Sequence, residues 1–161
     1  MITHTTKNNM FKHEHKTFKD HRGSYTPINT KILDIDWTQC SISINTEKFT
    51  FRGLHYQTNP PQTKYVKVIQ GLIIDFMVDL ETGETDYCTV GENEAVYIPN
   101  TKAHGFLTLE PNTIVTYMVK GEYNPKSEHS IIWSTNEVVA SVIKQHLKDG
   151  SLIISEKDDL K

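Results

Sequence analysis

Six side chains in the middle of the chain are of types that move protons or hold anions: Arg52, His55, Lys64, Asp75, His104 and Tyr117. A histidine titrates near neutral pH and can serve as a general base. An arginine presents a planar fork suited to phosphate, and a lysine offers a point charge for a developing anion. Asp75 interrupts the most apolar run of the sequence, Leu72 to Leu80. It is either buried and paired or on an edge strand facing water, because a buried carboxylate without a partner is costly. Taken singly, His55 and His104 read first as satisfied core histidines, and Tyr117 as a core aromatic. Together with Arg52 and Lys64 they make a candidate cluster for a small anionic molecule at the mouth of a barrel.

The elements that would position them are strands. Cys40-Ser41-Ile42-Ser43-Ile44, Lys64 to Ile69 and Thr113 to Val119 alternate polar and apolar residues, the mark of half-buried strands. Gln70-Gly71, Thr82-Gly83 and Glu110-Pro111-Asn112 are turn signals, and Pro99 suits the end of a strand over Ala95 to Ile98. Six or more short strands without interleaved helices predict an all-β sandwich or barrel. Only Asn136 to Lys148 reads as helix, with Asn136 as its N-cap, Val138, Val139, Val142, Ile143 and Leu147 on one face, and Gly150 at its end.

Composition bounds the rest. At 161 residues the chain fits a single domain spanning 1–161, large enough to hold its own core. A net charge of −3 gives no global reason to expect nucleic acid or membrane as a partner. Cys40 and Cys88 are too few for a disulfide framework and read as reduced core thiols. No run reaches the ~18 apolar residues of a membrane span, and Met1 to His15 lacks the apolar stretch of a secretory signal. The expectation is a cytoplasmic protein. Residues 1–15 read as a mobile arm, in which His13-Glu14-His15 is only half a metal site.

The blocks Arg52-Gly53-Leu54-His55-Tyr56-Gln57, Lys64, Gly71 and Asp75 to Leu80 resemble the signature of dTDP-4-dehydrorhamnose 3,5-epimerases. In the same order follow Ile98-Pro99, Ala103-His104-Gly105-Phe106, Tyr117, Tyr123-Asn124-Pro125 and Trp133. Phe18 to Gly23 is similar to the family's entry motif, and Ile154 to Asp158 to its closing segment. His21 stands where the family has Glu, and Thr101-Lys102 replaces its Gly-Phe.

The resemblance implies a homodimeric double-stranded β-helix of the cupin (jelly-roll) type with no metal and no organic cofactor, and the short C-terminal helical segment read at Asn136 to Lys148 stands where the family has other landmarks. It implies epimerisation of a nucleotide-diphosphate sugar, a 4-keto-6-deoxyhexose, at carbon 3 and/or 5 in deoxysugar biosynthesis. His55 then matches the general base, oriented by Asp158. Lys64 matches the group beside the enolate, and Tyr117 the acid on the opposite face. Arg52 and Arg22 match the diphosphate grip, and His104 with Asp75 a second histidine–carboxylate pair. Phe18, Gln39, Gln57, Tyr123 and Lys157 match further substrate contacts. Three other readings share the scaffold: a carbon-3-only or GDP-heptose epimerase, a keto-isomerase, and a non-catalytic sugar-nucleotide-binding cupin. A metal-dependent cupin would need converging ligands, and His55 lacks a His-x-His neighbour.

Overall fold

The computed structural model describes residues 2–5, 10–29, 31, 35–148 and 150–159. Period-2 patterning over most of that length produces two antiparallel sheets packed face to face. The strands are β1 (Ile2–Thr5), β2 (Phe11–Glu14), β3 (Phe18–Asp20), β4 (Gly23–Tyr25), β5 (Gln39–Asn45), β6 (Phe51–Gln57) and β7 (Thr63–Gln70). They continue with β8 (Leu72–Asp79), β9 (Thr85–Gly91), β10 (Glu94–Ile98), β11 (Lys102–Thr108), β12 (Thr113–Lys120) and β13 (Glu128–Ser130), before the helix α1 (Glu137–Leu147). One sheet runs β1-β2-β10-β7-β12-β5 and the other β13-β6-β11-β8-β9, while β3 and β4 form a separate hairpin. This is the all-β jelly-roll barrel that the strand spacing and the resemblance predict.

Between the sheets lie Val66, Val68, Val96 and Val115 from one and Ile73, Met77, Val90 and Phe106 from the other. Each such side chain taken out of water contributes about 1.5–3 kcal/mol before entropy is charged against it. A second core lies on the far face of the smaller sheet, where α1 covers Phe51, Phe76 and Leu107 with Val139, Val142 and Ile143. The Asn136 side chain caps α1 by accepting from the Val139 N–H. Val138, expected on the buried face, is instead 40 % exposed.

Two further expectations are corrected. Residues Phe11–Glu14 are not part of a mobile arm: they form β2, paired antiparallel with β10, and β1 pairs with β2. His13 and His15 are buried, and Nδ1 of the first and Nε2 of the second both bond the Tyr65 hydroxyl, at 2.9 and 3.0 Å. A four-residue strand with a single apolar residue of its own, Phe11, carries too little period to reveal itself when its anchor, Tyr65, is fifty residues away. Cys40 is not a core thiol either. It is exposed and free, whereas Cys88 is half-buried, its thiol pushed up to about 12 chiefly by burial.

The Tyr65 anchor sets a pH dependence. Burial lowers the pKa of His13 and His15 below 6.5, and the Lys67 ammonium adds to the shift of His15. The unfolded chain takes up protons near pH 6.5 while the folded chain resists them. Stability present above that pH is therefore lost as pH falls toward the folded-state values. The unfolding temperature is expected to drop between pH 7 and pH 5, and to drop less in a His13→Gln/His15→Gln variant. Equal slopes for the two proteins would contradict this assignment.

Candidate active site

The open end of the barrel holds a cavity of about 320 Å3 lined by Arg52, His55, His104, Phe106, Tyr117, Ser155, Lys157 and Asp158. β6 supplies Arg52 and His55, and β11 supplies His104 and Phe106, both in the five-stranded sheet; β12, in the six-stranded sheet, supplies Tyr117. His55 and Tyr117 therefore enter the cavity from facing sheets. β6 and β11 can bring their histidines together because Gly53 and Gly105 face each other. A Cβ on Gly53 would lie 2.5 Å from the Gly105 Cα, and Gly53 sits at φ 130°, where other residues are strained.

Each histidine is backed by a carboxylate. His55 Nε2 donates to Asp158 Oδ1 at 2.6 Å, and the other Asp158 oxygen lies 3.4 Å from the Gly53 N–H. Asp158 arrives from the C-terminal segment, whose Ile153 N–H donates to the Phe49 carbonyl and whose Ile153 carbonyl accepts from Phe51. A carboxylate only accepts, so this bond fixes the proton on Nε2 and leaves the Nδ1 lone pair free. His104 Nε2 lies 2.8 Å from Asp75 Oδ2. Asp75 is fully buried, which settles its alternatives, and its Oδ1 has no hydrogen-bond partner among the described residues. Burial raises its pKa, against the opposing pull of His104 and Lys64.

Lys64 stands on the inner face of β7. Burial lowers the pKa of its ammonium, while Glu128 and Asp75 pull the other way. Burial also drives the Tyr117 phenol well above its usual value, with Ser43 and Arg52 opposing. The phenol is thus held protonated and available as a donor.

Glu128 was not singled out from sequence. It lies at the rim, where Lys157 Nζ is 2.5 Å from its Oε2 and the exposed Tyr123 donates to the same oxygen at 3.2 Å. Burial raises its pKa, but Lys157, Tyr123 and His55 together hold it below the usual carboxylate range. The only signal was a lone carboxylate five residues after Tyr123.

Of the expected site residues, Lys64, Asp75 and Tyr123 are not among those lining the cavity, and four others lie elsewhere. Gln57 is buried, with Nε2 donating to the carbonyls of Pro60 and Glu122 and Oε1 accepting from the Asn124 N–H. Both its donor hydrogens are spent on backbone, so it ties two loops together instead of facing a ligand. Gln39 bonds Ser41 and lines a different groove, beside Trp37 and Met118. Phe18 and Arg22 sit on the β3–β4 hairpin, where Arg22 pairs with Asp20; no hairpin residue lines the His55 cavity. Among the described residues no group of three or more His, Cys, Asp and Glu side chains is arranged to hold a metal ion.

A double-stranded β-helix whose cavity is lined by the His55–Asp158 pair, by His104 backed by buried Asp75, by a half-buried phenol and by Arg52 and Lys157 is a cupin-type barrel equipped for acid–base chemistry. Residues 4–161 match the family model of dTDP-4-dehydrorhamnose 3,5-epimerase, and the chain belongs to that family. A relative of that name from Methanothermobacter thermautotrophicus is 33 % identical over 90 % of this chain and 84 % of its own. One from Mycobacterium tuberculosis is 35 % identical over 62 % of this chain and 52 % of its own. The chain thus spans about half the length of that curated relative. The solved dTDP-4-dehydrorhamnose 3,5-epimerase from Bacillus anthracis, with TDP and PPi bound, superposes with a TM-score of 0.78 at 31 % identity, covering 96 % of this chain and 94 % of that one.

Proposed function

We propose that this protein epimerises a dTDP-linked 4-keto-6-deoxyhexose at carbon 3, carbon 5 or both, through an enolate. The observation that carries this reading is the entry of His55, backed by Asp158, and of Tyr117 from facing sheets into one cavity. The hydrogens on carbons 3 and 5 flank the keto group, so removing either leaves an enolate. His55 Nδ1 takes the proton, and the Asp158 carboxylate stabilises the imidazolium that results. The Lys64 ammonium stands by the enolate oxygen in a low-dielectric barrel, where a fixed charge acts most strongly. Inversion requires a proton from the other face, which Tyr117 supplies. Arg52, exposed at the mouth, grips the diphosphate, with Lys157 beside it on the rim. The pyrophosphate-bearing ligands of the Bacillus anthracis relative accord with that assignment.

A homodimer goes with this reading. Phe18 and Arg22 lie outside the cavity of their own chain, and a second copy is a source that could bring them to it. Phe11, Ile42, Ile44 and Ile69 are exposed on the outer face of the six-stranded sheet, an apolar surface that a second copy would cover. A cytoplasmic site of action suits the free thiols, and no described helix is long and apolar enough to cross a membrane.

The test is incubation with dTDP-4-keto-6-deoxyglucose in deuterated water, followed by NMR. Deuterium at carbon 3, carbon 5 or both, in a product inverted at the same centre, is expected. Exchange at neither carbon would overturn the proposal.

A further inference from the structure

β5 is built the wrong way round for an edge strand of a core. Its isoleucines point outward, Ile42 being 70 % and Ile44 66 % exposed, while Ser41, Ser43 and Asn45 turn toward the barrel interior. The antiparallel register explains which interior they reach. Ser41 pairs with Tyr117, Ser43 with Val115 and Asn45 with Thr113, so all three lie on the face of the sheet that carries the phenol. The strand thus turns two hydroxyls and a carboxamide into the barrel, where Asn45 meets Arg52 of the cavity wall, and leaves its apolar residues outside.

The bonds among these groups are directional. Asn45 is only 2 % exposed, and its Nδ2 donates to the Thr113 carbonyl at 3.1 Å. That bond settles which end of the carboxamide is oxygen, and Oδ1 is left facing the cavity side. There it accepts from Arg52 Nε at 2.8 Å and from the Ser43 hydroxyl at 3.3 Å. The first bond is charge-assisted and short; the second is long, and the single Ser43 hydrogen gives it up at little cost. Ser43 shares the inner face of the sheet with Tyr117, one pair along the register, and with the Arg52 guanidinium it favours the ionised form of that phenol.

Building on the proposed epimerase reading, we propose that Ser43, steered by Asn45, is a positioning residue for the proton delivered by Tyr117. In the resting site Ser43 donates weakly to Asn45 Oδ1. When the Tyr117 O–H bond breaks and the new C–H bond forms on the sugar, the ring is left as a phenolate. The Ser43 hydroxyl then swings its hydrogen from Asn45 to that oxygen, keeping its own proton. Asn45 Oδ1 stays satisfied by Arg52. The proton taken from the substrate remains on His55, and solvent restores both groups before the next turnover. The same carboxamide holds Arg52, so the grip on the diphosphate and the alignment of the acid share one anchor.

The experiment compares Ser43→Ala and Ser43→Thr with the unaltered protein, using dTDP-4-keto-6-deoxyglucose in deuterated water. It measures deuterium in recovered substrate against inverted product, together with KM. A hydrogen bond to a charged group is removed only when the phenolate forms. Ser43→Ala is therefore expected to raise the ratio of exchange to inversion by about 10- to 100-fold, with KM changed less than about threefold since Arg52 keeps Asn45. Ser43→Thr retains the hydroxyl and should return the ratio to within about threefold. An unchanged ratio in Ser43→Ala would overturn the proposal. So would a parallel fall of exchange and inversion that threonine does not rescue, because a merely structural serine would produce that. If the unaltered protein itself exchanges at neither carbon, the epimerase reading fails instead, and the two failures are told apart in one series.

Discussion

His55→Ala is expected to eliminate both product formation and wash-in of solvent deuterium at carbons 3 and 5. Both histidines in the cavity give Nε2 to a carboxylate, but the His104 side chain is 5 % exposed and tied to a fully buried aspartate, whereas that of His55 is 24 % exposed and presents its Nδ1 more openly. Without His55 that wall loses its more open base, and His104 stays engaged with buried Asp75. General base catalysis supplies roughly 10²–10⁴-fold, and loss of that base should cost at least that much. Alanine also strands Asp158, 7 % exposed, without its partner at 2.6 Å. His55→Gln, which keeps an N–H toward the carboxylate, should therefore fold as the parent does and be equally inactive. Exchange that persists in either variant would place the base elsewhere.

Tyr117→Phe is expected to separate the two half-reactions. The ring packs against Phe106, with centroids 6.2 Å apart, and removal of one oxygen leaves that contact in place. His55 and Asp158 are untouched, so the enolate still forms. With no donor on the far face, it is reprotonated by His55 from the side it came from. Inversion should fall by about 10²–10⁴-fold while exchange continues near its original rate. NMR of recovered substrate checks the exchange, and the unfolding temperature checks that packing survives. Inversion at the parent rate would make the tyrosine structural and turn attention to Tyr123, which is exposed and bonded to Glu128 at the rim.

How far these groups could be read from the sequence depended on the range of the interaction that places them. The barrel was legible because alternation is a local property, and α1 was legible because Asn136 caps it within four residues. The cluster of His55, His104 and Tyr117 was nameable by residue type and resemblance, but its geometry depends on Gly53 meeting Gly105, a contact between distant strands. Alternation in β5 showed a strand and not which side faced in. The register with β12 turns Ser43 and Asn45 to the barrel interior and leaves Ile42 and Ile44 exposed. A one-residue slip of register would exchange those faces, so nothing within the strand could decide it. Gln57 has the chemistry of a ligand contact but is consumed by loop carbonyls contributed from Pro60 and Glu122. Glu128 acquires its place only when β13 pairs with β6 and Lys157 comes to meet it.

The central claim is that two walls of one cavity handle protons separately, His55 removing and Tyr117 returning. The most direct measurement follows deuterium at carbons 3 and 5 for the parent, His55→Ala and Tyr117→Phe in one series with dTDP-4-keto-6-deoxyglucose. The expected result is labelled, inverted product from the parent, labelled but uninverted substrate from Tyr117→Phe, and neither from His55→Ala. Equal loss of exchange and inversion in both variants would contradict it, since the two residues would then serve a single step.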